Sequence, residues 1–373
     1  MSPAPLPVRP ETARPRFPFV KPRYPASDAI ERHFRPAREA GFFTNFGPVS
    51  SRLERELGTR LLSGRSAMMC SSCTTALSVA LLALDVSSPV LVPAFTFPAT
   101  AGAVTGAGLT VLVGDVDPDT GILLEGEVRR AARQGCGAVI AVRPYGIWSD
   151  LSPLAAACRE AGLPLVIDNA AGLGVGGDIV SRFGVEDAIE AFSLHATKPF
   201  GVGEGGVLAV PPEPEAPGLE AKLRSAMNFG LPLADGRLRG KGINGKMDEM
   251  TAAVGHAVLE ELPSRVARRQ EVAGYYAGRA GEAGLATFFR AAEHSTWQCF
   301  PVLLPDGVAA DGIVKACAEE GLIARRYYHP ALGEAGTPNA RRLAARAVCL
   351  PVYDDAADAP EIWDIFSRAV AAA

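Results

Sequence analysis

Apolar residues along this chain fall into short unbroken runs separated by segments of helical period. The runs "SAMMC", "PVLVPAF", "TVLVGDV", "AVIAVRPY" and "LPLVID" read as strands. Between them, "TTALSVALLALDV", "PATAGAVTGAG", "EGEVRRAARQG" and "LSPLAAACREAG" read as helices, and "RLERELGTRLL" before the first strand is an amphipathic helix. Strands without a polar alternate need cover on both faces, and crossovers of about a dozen residues join parallel neighbours. The pattern predicts an α/β fold with a mostly parallel central sheet flanked by helices.

After Asp168 the rhythm changes. "AIEAFSL" and "GGVLAV" predict two neighbouring strands joined by a glycine-rich loop, followed by the polar, basic "GLPLADGRLRGKGINGKMDE". Helices resume from Met250, and the remainder, with short strands in "WQCFPVLL" and "IARRYY", predicts a smaller α+β domain. Residues 1–41 are rich in proline at their start and predict an extended arm. The expected division is the arm at 1–41, a large domain at 42–255, and a helical connection with a small C-terminal domain at 256–373.

Composition narrows the function. A net charge of -4 over 373 residues argues against nucleic-acid binding, which needs a concentrated basic face. No apolar run of about eighteen residues predicts a membrane span, and seven scattered cysteines do not make a disulfide framework. A cytoplasmic protein is expected. Cys70 and Cys73 form a C-x-x-C without a second pair or nearby histidines, so no metal site is expected and both read as small buried residues.

The loop "HATKPFGVGEGG" contains G-x-G-x-x-G as Gly201, Gly203 and Gly206. A dinucleotide fingerprint follows a strand and opens a helix; this one runs into a strand, so that reading fails. Pro199 keeps Lys198 out of the helical region and fixes its backbone. A lysine held in a semi-dry pocket loses its proton more readily and can attack a carbonyl carbon. Ser71, Ser72 and Thr74 stand where a helix start can hold an anion. Phe95 and Phe97 lie past a parallel strand's end, where ligands bind in open α/β sheets; Phe95 reads as core. Asp168 closes an apolar strand, an expensive place for a carboxylate without a partner. An anion-binding turn, a stacking aromatic, an aspartate and a strand-end lysine together suit pyridoxal 5′-phosphate.

The stretches "FTNFGP", "SSCTTAL", "PAFTFPAT", "DVDPDTG", "VIDNAAGLG", "FSLHATKPFGVGEGG" and "GINGKMDEM" resemble, in this order, the DegT/DnrJ/EryC1/StrS aminotransferases. The resemblance covers roughly residues 42 to 355 and implies the aspartate-aminotransferase-like fold, fold type I. It implies a homodimer with sites at the subunit interface, and amino transfer from glutamate to a keto-sugar, usually nucleotide-linked. It carries Lys198 over as the lysine that bonds the cofactor and shuttles the proton, with pyridoxamine phosphate as the intermediate carrier. It likewise implies Asp168 as partner of the ring nitrogen, Ser193, Cys73 and Thr74 as phosphate ligands, and Phe97 as the stacking aromatic. Asn244 would reach the phosphate region of the neighbouring subunit.

Two positions depart from the family. Ala171 stands where relatives often carry glutamine or histidine, and Lys246 replaces an arginine. His195, Lys246, Arg325, Tyr328 and His329 are the candidate substrate contacts. Arg237, Arg239 and Lys241 with Lys246 form a basic cluster of the kind more often found on a solvated face. Rival expectations are a dehydratase, aromatising enzyme or cyclitol aminotransferase with the same cofactor, and a non-catalytic scaffold on this fold.

Overall fold

The computed structural model describes residues 15–212, 217–233, 236–333 and 336–373. Seven apolar runs form one sheet: β1 (Ser66–Cys70), β2 (Val90–Pro93), β3 (Val111–Gly114), β4 (Ala138–Val142), β5 (Leu165–Asp168), β6 (Ile189–Ser193) and β7 (Gly206–Val210). Their spatial order is β1-β7-β6-β5-β4-β2-β3. All pairings from β6 through β3 are parallel, and β7 is antiparallel to both of its neighbours. β1 therefore runs in the same direction as β6. The carboxyl ends of β1, β2, β4, β5 and β6 open on a single edge of the sheet.

The period of two along each strand explains the absence of polar alternates. Val90, Val92, Ala138, Ile140 and Val166 enter one core, while Leu91, Val139, Ala141, Leu165 and Ile167 enter another on the opposite face. Both faces are covered by helices, so both sets are apolar. A second sheet of β8 (Ala286–Thr287), β9 (Cys299–Leu303) and β10 (Ala347–Pro351) is antiparallel in the order β10-β9-β8. The helix Glu249–Glu282 links the two parts: Ala253, Leu259 and Leu262 pack beside the first sheet, and Val272 and Tyr276 belong to the core of the second. Asp248 caps it, accepting from the Thr251 N–H at 2.9 Å.

Two local expectations are corrected. Ser27–Ala40 (α1) is a helix, where an extended arm was expected. Pro36 lies inside it, yet Ile30, Phe34 and Ala37 make an i, i+4, i+7 stripe that packs into the core beside Val254 and Val258. Burial of that stripe outweighs the one hydrogen bond the proline removes. "IARRYY" does not form a strand. Leu322 bridges Phe17 and Arg325 bridges Cys349, after which the backbone leaves β10 so that Tyr328 can stack on Tyr145. Phe17 itself donates to the Gly321 carbonyl and accepts from the Ile323 N–H, so the first described residues lie against the C-terminal part.

α1 also brings His33 onto His256, with ring centroids 5.1 Å apart. Burial, and then the neighbouring Arg52 guanidinium, push the His256 imidazole down to about 4. The unfolded chain binds the proton near 6.5, so between the two values it holds more protons than the native state. Stability is therefore complete above about pH 6.5 and declines as pH falls toward 4, by about 1.4 kcal/mol per unit of pKa difference. Thermal melts across pH 7 to 4 are expected to fall steeply in the wild type and less steeply in His256→Gln. Equal slopes in the two proteins would remove His256 from the account.

Candidate active site

The sheet edge where the parallel strands end carries the chemistry. Past β1, Ser72 caps the helix Cys73–Ala83: its Oγ accepts from the Thr75 N–H at 3.0 Å. The Cys73 and Thr74 N–H groups stand in the first turn, where no intrahelical acceptor exists. Cys73 and Thr74 line the same cleft as Ser193 at the end of β6. A side chain at Gly206 would place its Cβ 2.5 Å from the Ser72 carbonyl carbon and 2.6 Å from the Cys73 nitrogen. Only glycine lets β7 pass beneath the turn. Gly203, at φ +112°, makes the bend before it.

Asp168 ends β5 and is buried. Its Oδ2 accepts from Thr100 Oγ1 at 2.7 Å and its Oδ1 from the Ala170 N–H at 3.2 Å. Thr100 is joined in turn to Thr96 at 2.7 Å. Burial raises the Asp168 carboxyl above its ordinary value; the Thr100 hydroxyl and the Lys198 charge pull the other way. Lys198 donates from Nζ to Gln298 Oε1 at 2.7 Å. Burial lowers its ammonium below the usual lysine value, against the pull of Cys73 and Asp168. At a given pH more of this amine is free base than on a surface lysine, and the fraction grows as pH rises.

These groups line a cleft of about 370 Å³. Cys73, Thr74, Phe97, Asp168, Ser193, His195, Lys198, Arg325 and Tyr328 all contribute to its wall, as does Ala171. Phe97 is 52% exposed and meets the Tyr327 ring edge-on at 6.1 Å, whereas Phe95 is wholly buried against Phe288. Arg143 reaches the wall but is committed: its Nε donates to Glu190 at 3.0 Å, Nη1 to the Ser149 carbonyl and Nη2 to that of Phe183.

Other candidates lie elsewhere. His329 is exposed and its Nδ1 meets Arg326 at 3.0 Å, outside the cleft wall. Lys246 donates to Asn228 at 3.1 Å and lies over the Phe229 ring, and Asn244 is exposed. Neither lines the cleft of its own chain. Arg237, Arg239 and Lys241 are exposed and outside it as well. Sequence reasoning missed Thr100 and Gln298. The i, i+4 hydroxyls of Thr96 and Thr100 offered a faint signal; Gln298 offered none, because it meets Lys198 from 100 residues away.

Pyridoxal phosphate fits this donor set. The cradle above Gly206 presents N–H and hydroxyl groups suited to a phosphate, Asp168 is a buried carboxylate suited to a protonated ring nitrogen, and Lys198 is a desolvated amine suited to an aldehyde.

Comparison with known proteins points the same way. A family model described as the DegT/DnrJ/EryC1/StrS aminotransferase family matches residues 26–364. "Protein Rv3402c" of Mycobacterium tuberculosis is 30% identical over 333 residues, 85% of this chain and 77% of that protein. The dTDP-4-amino-4,6-dideoxy-D-glucose transaminase of Shigella dysenteriae is 27% identical over 83% of this chain and 87% of its own length. The crystal structure of DesI, solved in the presence of its TDP-sugar product, superposes with a TM-score of 0.85 at 26% identity, covering 96% of this chain and 94% of DesI.

Proposed function

We propose that this chain, which belongs to the DegT/DnrJ/EryC1/StrS aminotransferase family, uses its pyridoxal phosphate chemistry to move an amino group from glutamate to a nucleotide-linked keto-sugar. The observation that carries the reading is the meeting of Lys198, Asp168 and the Ser72–Thr74 turn around one cleft. The acceptor class is supported by the names of relatives, among them the Shigella transaminase and a UDP-N-acetyl-3-dehydro-alpha-D-glucosamine 3-aminotransferase of Acidithiobacillus ferrooxidans.

When bound, the cofactor supplies a ring that accepts the electron pair left on the substrate carbon. Cys73, Thr74 and Ser193 hold its phosphate. Asp168, steadied by Thr100, keeps a proton at the ring nitrogen. Lys198 would be the residue that bonds the cofactor, and its Nζ would hold and move a proton at the reacting carbon. Its lowered affinity for protons suits both tasks. Phe97, in the cleft wall, would pack against the ring. Asn244, exposed and away from its own chain's cleft, serves the neighbouring subunit of a homodimer.

The test is a panel assay that follows 2-oxoglutarate release from glutamate. Nucleotide-linked keto-sugars are expected to sustain release, and free cyclic ketones are not. Release with cyclic ketones alone would shift the assignment to a cyclitol aminotransferase. Water loss from the sugar without consumption of glutamate would shift it to a dehydratase.

A further inference from the structure

Lys198 does not hold its place unaided. Its Nζ donates to Gln298 Oε1 at 2.7 Å, and the Gln298 Nε2 donates to Thr197 Oγ1 at 3.4 Å. Thr197 Oγ1 lies 2.9 Å from His195 Nδ1, which also receives the Thr197 backbone N–H at 3.2 Å. Nδ1 is thus an acceptor, so the hydroxyl donates to it and the ring proton sits on Nε2, 3.6 Å from Glu204 Oε1. Every donor in the series meets an acceptor in one sense only. That sense fixes the Gln298 amide with its carbonyl toward the lysine.

Gln298 lies just before β9 of the second sheet, and Lys198 follows β6 of the first. The amide is the hydrogen-bond partner of the lysine amine, and it comes from the other structural unit. Amino transfer requires Lys198 to exist as a free amine whenever the cofactor carries the amino group. A four-carbon side chain with free rotors would then leave its working position at a considerable entropic advantage.

We propose that Gln298 is a positioning residue that holds the released Lys198 amine, with Thr197 fixing the amide, so that the lysine is in place for each proton transfer. The proposal rests on the reading of Lys198 as the cofactor-bonding lysine. An acceptor carbonyl steadies the ammonium form over the free base. Replacing it with an apolar group lowers the lysine's proton affinity further, and replacing it with a carboxylate raises it.

The test uses cofactor-free protein mixed with pyridoxal phosphate across a pH series, following the rate at which the bound-cofactor absorption appears. The pH midpoint of that rate is expected to move down by about one unit in Gln298→Leu and up by about one unit in Gln298→Glu. Thr197→Val, which leaves the glutamine in place, is expected to move it down by less. In turnover, Gln298→Leu is expected to lose about tenfold in kcat with little change in the KM for glutamate. Midpoints unchanged from wild type in both Gln298 variants would overturn the proposal. Failure of wild-type protein to capture the cofactor at any pH would instead overturn the assignment of Lys198, a distinct outcome.

Discussion

Lys198→Ala is expected to reduce amino transfer by roughly a thousandfold or more, the scale set by losing a positioned proton carrier together with covalent activation. Among the described residues the side chain's hydrogen bond is to Gln298, and it packs in a cleft wall, so the fold is expected to survive. Survival can be checked by an unchanged melting profile. Lys198→Arg should fail as completely, because a guanidinium stays protonated at every accessible pH and cannot act as a nucleophile. Asp168 would lose its neighbouring cation in the alanine variant, raising its carboxyl further and weakening its grip on a protonated ring. The measurement is turnover with glutamate and a keto-sugar, alongside cofactor retention through gel filtration. Activity within tenfold of wild type would remove Lys198 from the chemistry.

The largest effect on stability is expected at Glu190, on the same strand as the cleft residue Ser193. Its side chain is wholly buried on β6 and accepts from Arg143 Nε at 3.0 Å and Asn169 Nδ2 at 2.9 Å, with Arg65 at 3.4 Å. Burial lowers both arginines from their usual value while Glu190 opposes that fall. Glu190→Ala would strand two buried guanidinium groups and is expected to cost about 3–5 kcal/mol. Urea unfolding reads this as a fall in midpoint. Glu190→Gln keeps the shape and one acceptor, so its loss should be smaller. The damage would reach the cleft too, since Asn169 follows Asp168 and the Arg143 N–H donates to the Asp168 carbonyl at 3.0 Å. Equal stability of Glu190→Ala and wild type would mean that water reaches these arginines.

The central sheet was legible because apolar runs such as Ala138–Val142 admit one explanation, a strand covered on both faces. Lys198 and Asp168 were legible for a related reason: each sets a costly polar group where apolar continuity ends. Helix Ser27–Ala40 was obscured because proline frequency was weighed above the stripe of Ile30, Phe34 and Ala37. Gln298 could not be read at all, because a glutamine in "STWQCF" carries no local sign of what approaches it from another sheet. The family resemblance puts His329 among the substrate contacts, and its side chain turns to Arg326 instead. Periodicity reports what a segment buries. It says little about which side chains from distant segments converge.

Residues 15–24 tie the two ends of the chain together, and this has a bearing on synthesis. Arg16 pairs with Glu361, Tyr353 donates to the Pro18 carbonyl, and Tyr24 donates to that of Val202 at 2.5 Å. The first pair spans 345 positions of the sequence. Apart from Val202, these partners lie past residue 320, so docking there comes after the strands of the central sheet have been made. The central sheet, complete by Val210, can assemble before that docking. Phe17 and Phe19, buried in the finished protein, lack their cover until the later segments are in place. Apolar surface left exposed at that stage is what makes a partly folded chain prone to aggregate.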